Sequence, residues 1–269
     1  MIRLTAPAKV NFYLEITGKR PDGYHTLSTV FQTISLGDEL TFLPARAVSL
    51  SCSDPSLPVD GRNLVMRAAL LLKGFLKEKR GAEIHLKKIV PMGAGLGGGS
   101  ADAAATLKGL LKLWNRRISV PALAKLAVGL GADVPFFLKG GLCAATGIGE
   151  KLKSLKPLPK TWMVIVWPGF GVSTKEAYSK VVLPFSAPPL PRSPAPLRSL
   201  FNRFESLVFP DHPELPRLKR ALLASGATGA LMSGSGSAVF GLAKSGAHGA
   251  KIRALIQKKY NHVWLAQTI

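Results

Sequence analysis

The stretch PMGAGLGGGSADAAATL, residues 91–107, carries the strongest signal in this sequence. Five of the seven residues from position 93 to position 99 are glycine, and an alanine-rich segment with helical spacing follows. Glycine permits positive φ angles, and its missing Cβ lets backbone N–H groups approach an anion closely. The first turn of a helix adds unpaired N–H groups and a partial positive charge. We therefore predict a phosphate-binding loop in front of a helix that runs from about Ser100 to Trp114.

The glycines also fit the dinucleotide-binding pattern G-x-G-x-x-G, at Gly93, Gly95 and Gly98. That pattern requires an acidic residue about 20 positions further on, which binds the ribose. After Asp102 the next acidic residue is Asp133, which lies too far along the chain. The dinucleotide hypothesis is therefore disfavoured.

Two kinase patterns are absent. The P-loop needs Gly-Lys followed by Ser or Thr, whereas the one Gly-Lys pair, Gly18-Lys19, is followed by Arg20. The HRD and DFG motifs of protein kinases are missing as well. If the glycine loop binds a nucleoside triphosphate, the neutralising cation comes from elsewhere in the chain or from Mg²⁺.

The charge of the chain is strongly positive. Lys and Arg outnumber Asp and Glu by 36 to 15, a formal net charge of +21. Such an excess favours nucleic-acid binding as a hypothesis. The charge is spread along the chain, however, and the aromatic residues, 7% of the total, do not alternate with basic ones as a stacking platform requires. We expect a small phosphorylated partner and disfavour nucleic acid, and a basic nucleic-acid-binding module stays the alternative from another functional class.

No membrane segment is predicted. The most apolar stretch, residues 123–145, is interrupted by Lys125, Asp133 and Lys139, whereas a spanning helix needs about 18 or more apolar residues. The first residues, MIRLTAPAKVNFYLEI, lack the apolar core and cleavage site of a signal peptide. We therefore expect a cytoplasmic protein without a membrane partner.

The hydrophobic pattern mixes strands and helices without a regular β-α-β-α alternation, which predicts an α+β fold. Asn63 is the expected N-cap of one helix, and Pro121 lies in the first turn of another. A boundary near residue 150 would separate two domains, 1–150 and 151–269. Six prolines at residues 184–196 indicate a stiff surface connection. Strands are predicted at residues 2–17, 27–44, 82–90, 160–169 and 262–267, helices at 61–79, 100–114, 120–131, 212–225 and 246–260, and a Gly/Ser loop at 227–243.

Three motifs in order resemble those of the GHMP kinases: APAKVNFYLEITGKRPDGYHTL at 6–27, PMGAGLGGGSADAA at 91–104 and LMSGSGSAVFGL at 231–242. The segments GRNLVMRAALLL at 61–72 and LGADVPFFLKGG at 130–141 add to the resemblance. It implies an N-terminal ATP-binding domain like ribosomal protein S5, a C-terminal ferredoxin-like α/β sandwich, and an active site in the cleft between them.

The first motif is more specific than the family. It is similar to that of the members that phosphorylate the 2-hydroxyl of a cytidine-diphosphate-linked methylerythritol in the non-mevalonate isoprenoid route. The resemblance therefore implies ATP as phosphate donor, with Mg²⁺ as its counter-ion, and this small molecule as acceptor. A GHMP kinase with another small alcohol as acceptor is the nearest alternative.

Two charged residues are the catalytic candidates. Asp133 lies in an otherwise apolar segment, where a lone carboxylate is as often a helix N-cap; the resemblance makes it the catalytic base. Lys9 lies in an apolar strand, where a buried lysine needs a partner and a snorkelling lysine does not. The resemblance places Lys9 beside Asp133, where it would keep the carboxylate ionised and stabilise developing charge.

The remaining site residues also follow from the resemblance. Tyr24, His25 and Tyr178 are expected at the cytosine, although unaided Tyr24 and His25 would count as ordinary turn residues. Asn11 and Thr174 are expected near the reacting hydroxyl, and Gly234 and Ser235 at the diphosphate, for which a flexible turn is the alternative. The residues expected to bind ATP are Asn63, Lys88, Pro91, Met92, Gly93, Ala94, Gly95, Leu96, Gly97, Gly98, Gly99, Ser100 and Ala101.

One position departs from the family pattern. The family's loop usually ends in two serines, whereas this chain has Ser100-Ala101. If the second hydroxyl helps to hold Mg²⁺, that role is vacant here. The sequence therefore assigns no metal ligand, and Asp102 in the first helical turn is interpreted as a dipole-complementing residue.

Overall fold

A computed structural model describes residues 1–183 and 200–269, and these form two compact units. Unit one comprises Met1–Ala8, Gly37–Val90 and Gly97–Lys139, and unit two comprises Lys9–Leu36, Pro91–Leu96 and Gly140–Ile269. Two long strands, β1 (Ile2–Lys19) and β2 (His25–Ala45), pass from one unit into the other. The division of the sequence into domains 1–150 and 151–269 stays a prediction.

Unit one contains a sheet formed by the end of β2 with β3 (Val48–Cys52) and β4 (Gly81–Lys87). Strand β4 pairs antiparallel with β2 and parallel with β3. Ile84 and Leu86 are buried while Glu83, His85 and Lys87 are exposed. This alternation is what a strand with one face in a core requires.

Four helices complete unit one: α1 (Leu64–Leu76), α2 (Gly98–Leu113), α3 (Val120–Leu130) and α4 (Val134–Lys139). The side chain of Asn63 caps α1, and Pro121 lies in the first turn of α3, both as predicted. Helix α2 is central, because it packs against α1, α3 and α4. It begins at Gly98 rather than Ser100, so two of the loop glycines belong to its first turn.

Unit two has strands in two groups. In the first group β5 (Leu142–Thr146) pairs with β2 and with β6 (Lys151–Ser154), and β8 (Phe201–Asn202) pairs with β1. The second group is an antiparallel sheet in the order β11-β7-β10-β9. Its strands are β7 (Trp162–Trp167), β9 (Ala230–Met232), β10 (Val239–Ala243) and β11 (His262–Gln267).

The helices of unit two are α5 (Thr174–Ser179), α6 (Arg203–Val208), α7 (Glu214–Ala224) and α8 (Gly246–Ile256). Helices α7 and α8 pack on the antiparallel sheet. Leu218 and Leu222 of α7 and Ile252 of α8 are fully buried in one apolar cluster with Val164 and Val166 of β7. Burial of such side chains stabilises a core by about 1.5–3 kcal/mol each.

The sequence predictions and the structure differ at short elements. The segment expected to be a Gly/Ser loop, residues 227–243, contains β9 and β10 with only a turn between them. Helices α4, α5 and α6 were not predicted, because six residues are too few to show a helical period. The proline-rich connection at 184–196 lies outside the described residues. None of the described helices is long and apolar enough to span a membrane.

The packing of α2 against β2 can be tested at a glycine. A Cβ built on Gly109 would lie 2.4 Å from Phe42 Cε2, and the Phe42 side chain is fully buried. We expect Gly109→Ala to lower the free energy of unfolding by about 1–3 kcal/mol, the usual cost of overpacking. Gly129→Ala in α3 is the matched control, because no atom lies within 4 Å of its added Cβ and alanine favours the helix. Urea unfolding of both variants and the native protein measures the difference. Equal stability of the two variants would contradict the packing argument.

Candidate active site

Lys9, on β1 in unit two, is almost completely buried, with 4% of its surface exposed. Its ammonium donates to Asn11 Oδ1 at 2.7 Å and to the carbonyl oxygen of Gly95 at 2.9 Å. The ammonium also lies 5.3 Å from the centre of the Phe31 ring. The snorkelling alternative is therefore wrong, and this lysine is a buried cation held by hydrogen bonds.

Asn11 connects Lys9 to the neighbouring strand. Its Nδ2 donates to Thr29 Oγ1 at 2.8 Å, and Thr29 Oγ1 donates to the Tyr13 carbonyl at 2.6 Å. Asn11 and Thr29 are both buried. Because Lys9, Asn11 and Thr29 are linked by successive hydrogen bonds, the amide oxygen of Asn11 is fixed facing the ammonium. Two of the predicted site residues, Lys9 and Asn11, are thus in direct contact.

Gly95 joins the glycine-loop motif to the third motif within unit two. Its carbonyl oxygen accepts from Lys9 and also from Ser233 Oγ, at 2.9 Å each. Gly95 has a φ of 73°, and an added Cβ would lie 1.9 Å from the Ser233 carbonyl oxygen. Only glycine fits this position, both for its backbone angle and for the close approach of the two segments.

The carbonyl oxygens of residues 93–96 in the loop all accept hydrogen bonds. Those of Gly93, Ala94 and Leu96 accept from the backbone N–H groups of Val172, Ala238 and Lys9, respectively. Pro91 is half-buried, whereas the Met92 side chain is largely exposed. The loop is therefore a fixed part of unit two and not a free connection.

Thr174 and Ser235 lie together as well. Thr174 is the first residue of α5, and its hydroxyl is 3.0 Å from that of Ser235 in the turn between β9 and β10. Gly234, in the same turn, has a φ of 56°, and its Cβ position would be 3.3 Å from the Lys9 ammonium. The structure thus places Gly234 close to Lys9, with Ser235 beside Thr174.

Of the three aromatic residues predicted to bind the cytosine, two are in contact with each other. His25 and Tyr178 stack, with ring centres 5.2 Å apart and planes at 16°, and the edge of the Phe204 ring meets Tyr178 at 4.9 Å. The Tyr24 side chain is 62% exposed in the turn before β2. Burial, with Lys19 nearby, lowers the pKa of His25 below its usual 6.5, so the ring is predominantly neutral at pH 7. A neutral imidazole offers one donor and one acceptor.

In unit one, the start of α2 is open. Its N-cap, Gly97, has a φ of 71° and makes no side-chain capping hydrogen bond. The first N–H groups of a helix lack partners inside the helix, so those of Gly98, Gly99 and Ser100 are available to an anion. The side chain of Ala101 is buried, so the position where a second serine was expected faces the interior. This geometry can bind an anionic group such as a phosphate.

Beneath that helix start lies a buried charge cluster in unit one. The Lys88 ammonium is 2.5 Å from Asp38 Oδ2 and 2.9 Å from Asp102 Oδ2. Asp38 Oδ1 accepts from the backbone N–H groups of Ile89 and Val90. These contacts tie the segment before the glycine loop to the helix after it.

Asp102 is the unusual member of this cluster. Burial raises its pKa to about 7, against the opposing effect of the Lys88 ammonium, and its Oδ1 has no partner within the described residues. The two carboxylates outweigh the burial of Lys88 and raise the pKa of its ammonium. Two carboxylates and one ammonium carry a net negative charge unless Asp102 takes up a proton. Lys88 was predicted to bind ATP, and in the structure its ammonium is hydrogen-bonded to Asp38 and Asp102.

Two further predicted site residues of unit one, Asp133 and Asn63, lie outside this charge cluster. Asp133 is half-buried and directly precedes α4. Asn63 is engaged in the fold, because its Oδ1 accepts from Val65 N and its Nδ2 donates to the Pro58 carbonyl. Their roles stay predictions. Residues 1–183 and 200–269 contain no group of three or more His, Cys, Asp or Glu that could hold a metal ion.

Sequence reasoning missed several residues that support the site. Asp38 was not singled out, although a carboxylate inside the apolar strand segment SLGDEL is a usable signal. Asp102 was interpreted as complementing the helix dipole, whereas it pairs with Lys88. Asn202, which donates to the carbonyls of Met232 and Gly234, gave no signal in the sequence.

Comparison with known proteins follows the same motifs. The family model of the GHMP kinases N terminal domain matches residues 63–141, and that of the GHMP kinases C terminal region matches residues 192–262.

Individual relatives match over most of the chain. A protein of Prosthecochloris aestuarii named 4-diphosphocytidyl-2-C-methyl-D-erythritol kinase is 47% identical over 90% of this chain and 88% of its own length. One of Syntrophus aciditrophicus with the same name is 43% identical, over 90% of each chain. The crystal structure of a 4-(cytidine 5'-diphospho)-2C-methyl-D-erythritol kinase superposes with a TM-score of 0.88 at 38% identity, over 99% of both chains.

The charge cluster predicts a pH dependence of stability. The pKa of Asp102 in the folded protein, about 7, lies above its ordinary value of 3.8. Its contribution to stability is therefore complete below about pH 4 and is lost as the pH rises through about 7. We expect the free energy of unfolding of the native protein to fall over this range relative to that of Asp102→Asn, which keeps the side-chain shape and cannot ionise.

Urea unfolding at several pH values measures this difference. Asp60→Asn, at an exposed carboxylate of unit one, is the control and should follow the native curve above about pH 4. Parallel curves for the native protein and Asp102→Asn between pH 5 and 8 would contradict the raised pKa of Asp102.

Proposed function

This chain belongs to the GHMP kinase family, and from that premise we propose that it transfers the γ-phosphoryl group of ATP to the 2-hydroxyl of 4-(cytidine 5'-diphospho)-2-C-methyl-D-erythritol. The predicted α+β fold of this family is confirmed, and the chain is a small-molecule kinase with ATP as phosphate donor. The product would serve the non-mevalonate route to isoprenoid precursors, and we propose the cytoplasm as its place.

One observation supports this choice of acceptor: the chain is 47% identical, over 90% of its length, to a relative named for this substrate. The match extends over 254 residues, far more than the phosphate-binding motif that many kinases share. The stretch KVNFYLEITGKRPDGYHTL, residues 9–27, lies in unit two, where it contributes Lys9, Asn11 and His25 to the candidate site.

Lys9 would supply the positive charge that phosphoryl transfer needs. The transition state spreads negative charge over the oxygens of the moving group, so a fixed cation nearby lowers its energy. The Lys9 ammonium is held by Asn11 and Gly95, and its position therefore costs no reorganisation during the reaction. Asp133 is proposed to take the proton of the acceptor hydroxyl or to orient that hydroxyl.

The open start of α2 would hold the phosphates of ATP through backbone N–H groups. Mg²⁺ is proposed as the counter-ion of ATP, where it would neutralise phosphate charge. His25, Tyr178 and Tyr24 would bind the cytosine, while Thr174 and Asn11 would hold the acceptor near its reacting hydroxyl. Gly234 and Ser235 would face its diphosphate.

The first test is phosphate transfer to a panel of alcohols. We expect the purified protein to consume ATP with the cytidylyl methylerythritol substrate, and not with homoserine or mevalonate.

Asp133→Asn should lower kcat by about 10²-fold or more, the usual range for a general base, and leave ATP affinity largely intact. Asp60→Asn, a change of the same kind at an exposed position, should be without effect. Transfer to another alcohol would overturn the proposed acceptor, and unchanged turnover of Asp133→Asn would overturn the proposed base.

The second test concerns the cytosine. We expect Tyr24→Ala and His25→Ala to raise the KM for the acceptor roughly tenfold or more, because loss of a stacking or edge contact with a base costs about 1–3 kcal/mol. The KM for ATP should not change. His85→Ala, at an exposed histidine of β4, controls for general effects of histidine removal. Equal changes in both KM values would argue against cytosine binding by these residues.

A further inference from the structure

We infer that Asn202 is a positioning residue that orients the Gly234–Ser235 peptide for the acceptor's diphosphate. Asn202 lies at the end of β8 in unit two and is buried, with 4% of its surface exposed. Its Nδ2 donates to two carbonyl oxygens of the third motif, those of Met232 and Gly234, at 2.7 Å each. One side-chain amide thus binds the chain on both sides of Ser233.

The bond to Gly234 fixes the direction of a peptide plane. The bond between Gly234 and Ser235 is trans, so its C=O and N–H point in opposite directions. Because the carbonyl faces the buried Asn202, the Ser235 N–H faces away from it. An N–H so oriented is a preformed donor for an anion, and it needs no rearrangement when the ligand arrives.

Two further contacts hold the same turn in unit two. Glu205, on the first turn of α6, accepts from Met232 N at 2.9 Å, so side chains beside and within α6 hold both the N–H and the C=O of Met232. The Ser233 hydroxyl donates to the Gly95 carbonyl. The backbone N–H groups of Ser233 and Gly236 are also hydrogen-bonded, to the Ala238 and Ser233 carbonyls. The bond from Asn202 to the Gly234 carbonyl fixes the peptide plane that carries the Ser235 N–H.

Asn202 also has an ordinary structural task, which is separable from this one. Its Oδ1 accepts from Phe204 N and caps α6. Aspartate and serine are equally good N-caps, but aspartate has no donor and serine is too short to reach both carbonyls. The variants Asn202→Asp and Asn202→Ser therefore keep the cap and remove the orientation of the turn, whereas Asn202→Ala removes both.

The experiment compares steady-state kinetics of these variants with those of Ser245→Ala, which removes the cap of α8 in the same unit. We expect Asn202→Asp and Asn202→Ser to raise the KM for the cytidylyl acceptor or lower kcat by roughly ten- to a hundredfold, as misplacement of a binding group does. The KM for ATP should stay within about twofold. Ser245→Ala should lose thermal stability as Asn202→Ala does, with native kinetics.

Native kinetics in Asn202→Asp and Asn202→Ser, with a defect only in Asn202→Ala, would overturn the inference and leave Asn202 as a cap. An equal rise in the KM for ATP would overturn it as well. If Asn202→Asp does not fold, Asn202→Ser, which introduces no charge, gives the answer.

The inference rests on the proposed function, and the two can fail separately. The native enzyme tests the acceptor, because the proposed function fails if it does not phosphorylate the cytidylyl substrate. Amide hydrogen exchange at residues 233–237 tests the positioning without any ligand. We expect faster exchange in Asn202→Asp and Asn202→Ser than in the native protein and Ser245→Ala, and unchanged exchange would overturn the positioning role.

Discussion

The burial of the Lys9 ammonium determines how several segments of unit two lie against one another. A cation removed from water must be hydrogen-bonded, or the fold loses several kcal/mol. The Gly95 carbonyl is one partner, and Gly95 has a positive φ and, because it lacks a Cβ, lies close to the Ser233 carbonyl. The Gly95 carbonyl also accepts a hydrogen bond from the Ser233 hydroxyl. The hydrogen bonds around the Lys9 ammonium therefore connect the glycine loop to the third motif. Asn11 completes the arrangement from the same strand.

Unit one also contains a buried lysine, but there two carboxylates bind the ammonium. Lys88 is buried between Asp38 and Asp102, and Asp38 also receives the N–H groups of the two residues that follow Lys88. The result is a rigid connection between the strand side and the helix side of the glycine loop. Its net charge depends on whether Asp102 is protonated, since one ammonium faces two carboxylates. A buried cluster of this kind fixes the positions of the loop's ends, even though it contributes little net stability.

Much of the fold could be predicted from the sequence, whereas the support of the site could not. The long elements showed their periods. Asn63 caps α1 as predicted, and α3 begins at Val120, where the pattern predicts it. Helix α4, of six residues, and strand β9, of three, were missed because so few residues cannot define a period. Asn202 was missed for another reason. Its partners lie 30 and 32 positions away, and no local pattern records which carbonyls a side chain will meet.

The start of α2 differs from every other long helix start in the described part of the chain. Of the five helices with more than ten residues, α1, α3 and α8 are capped by the side chains of Asn63, Ser119 and Ser245. Helix α7 has no such cap but carries Glu214 in its first turn, where a carboxylate offsets the positive end of the dipole. Helix α2 has neither a capping side chain nor an acidic residue in its first turn. An uncompensated helix start reduces stability, and at the glycine loop a bound phosphate group would supply the missing negative charge.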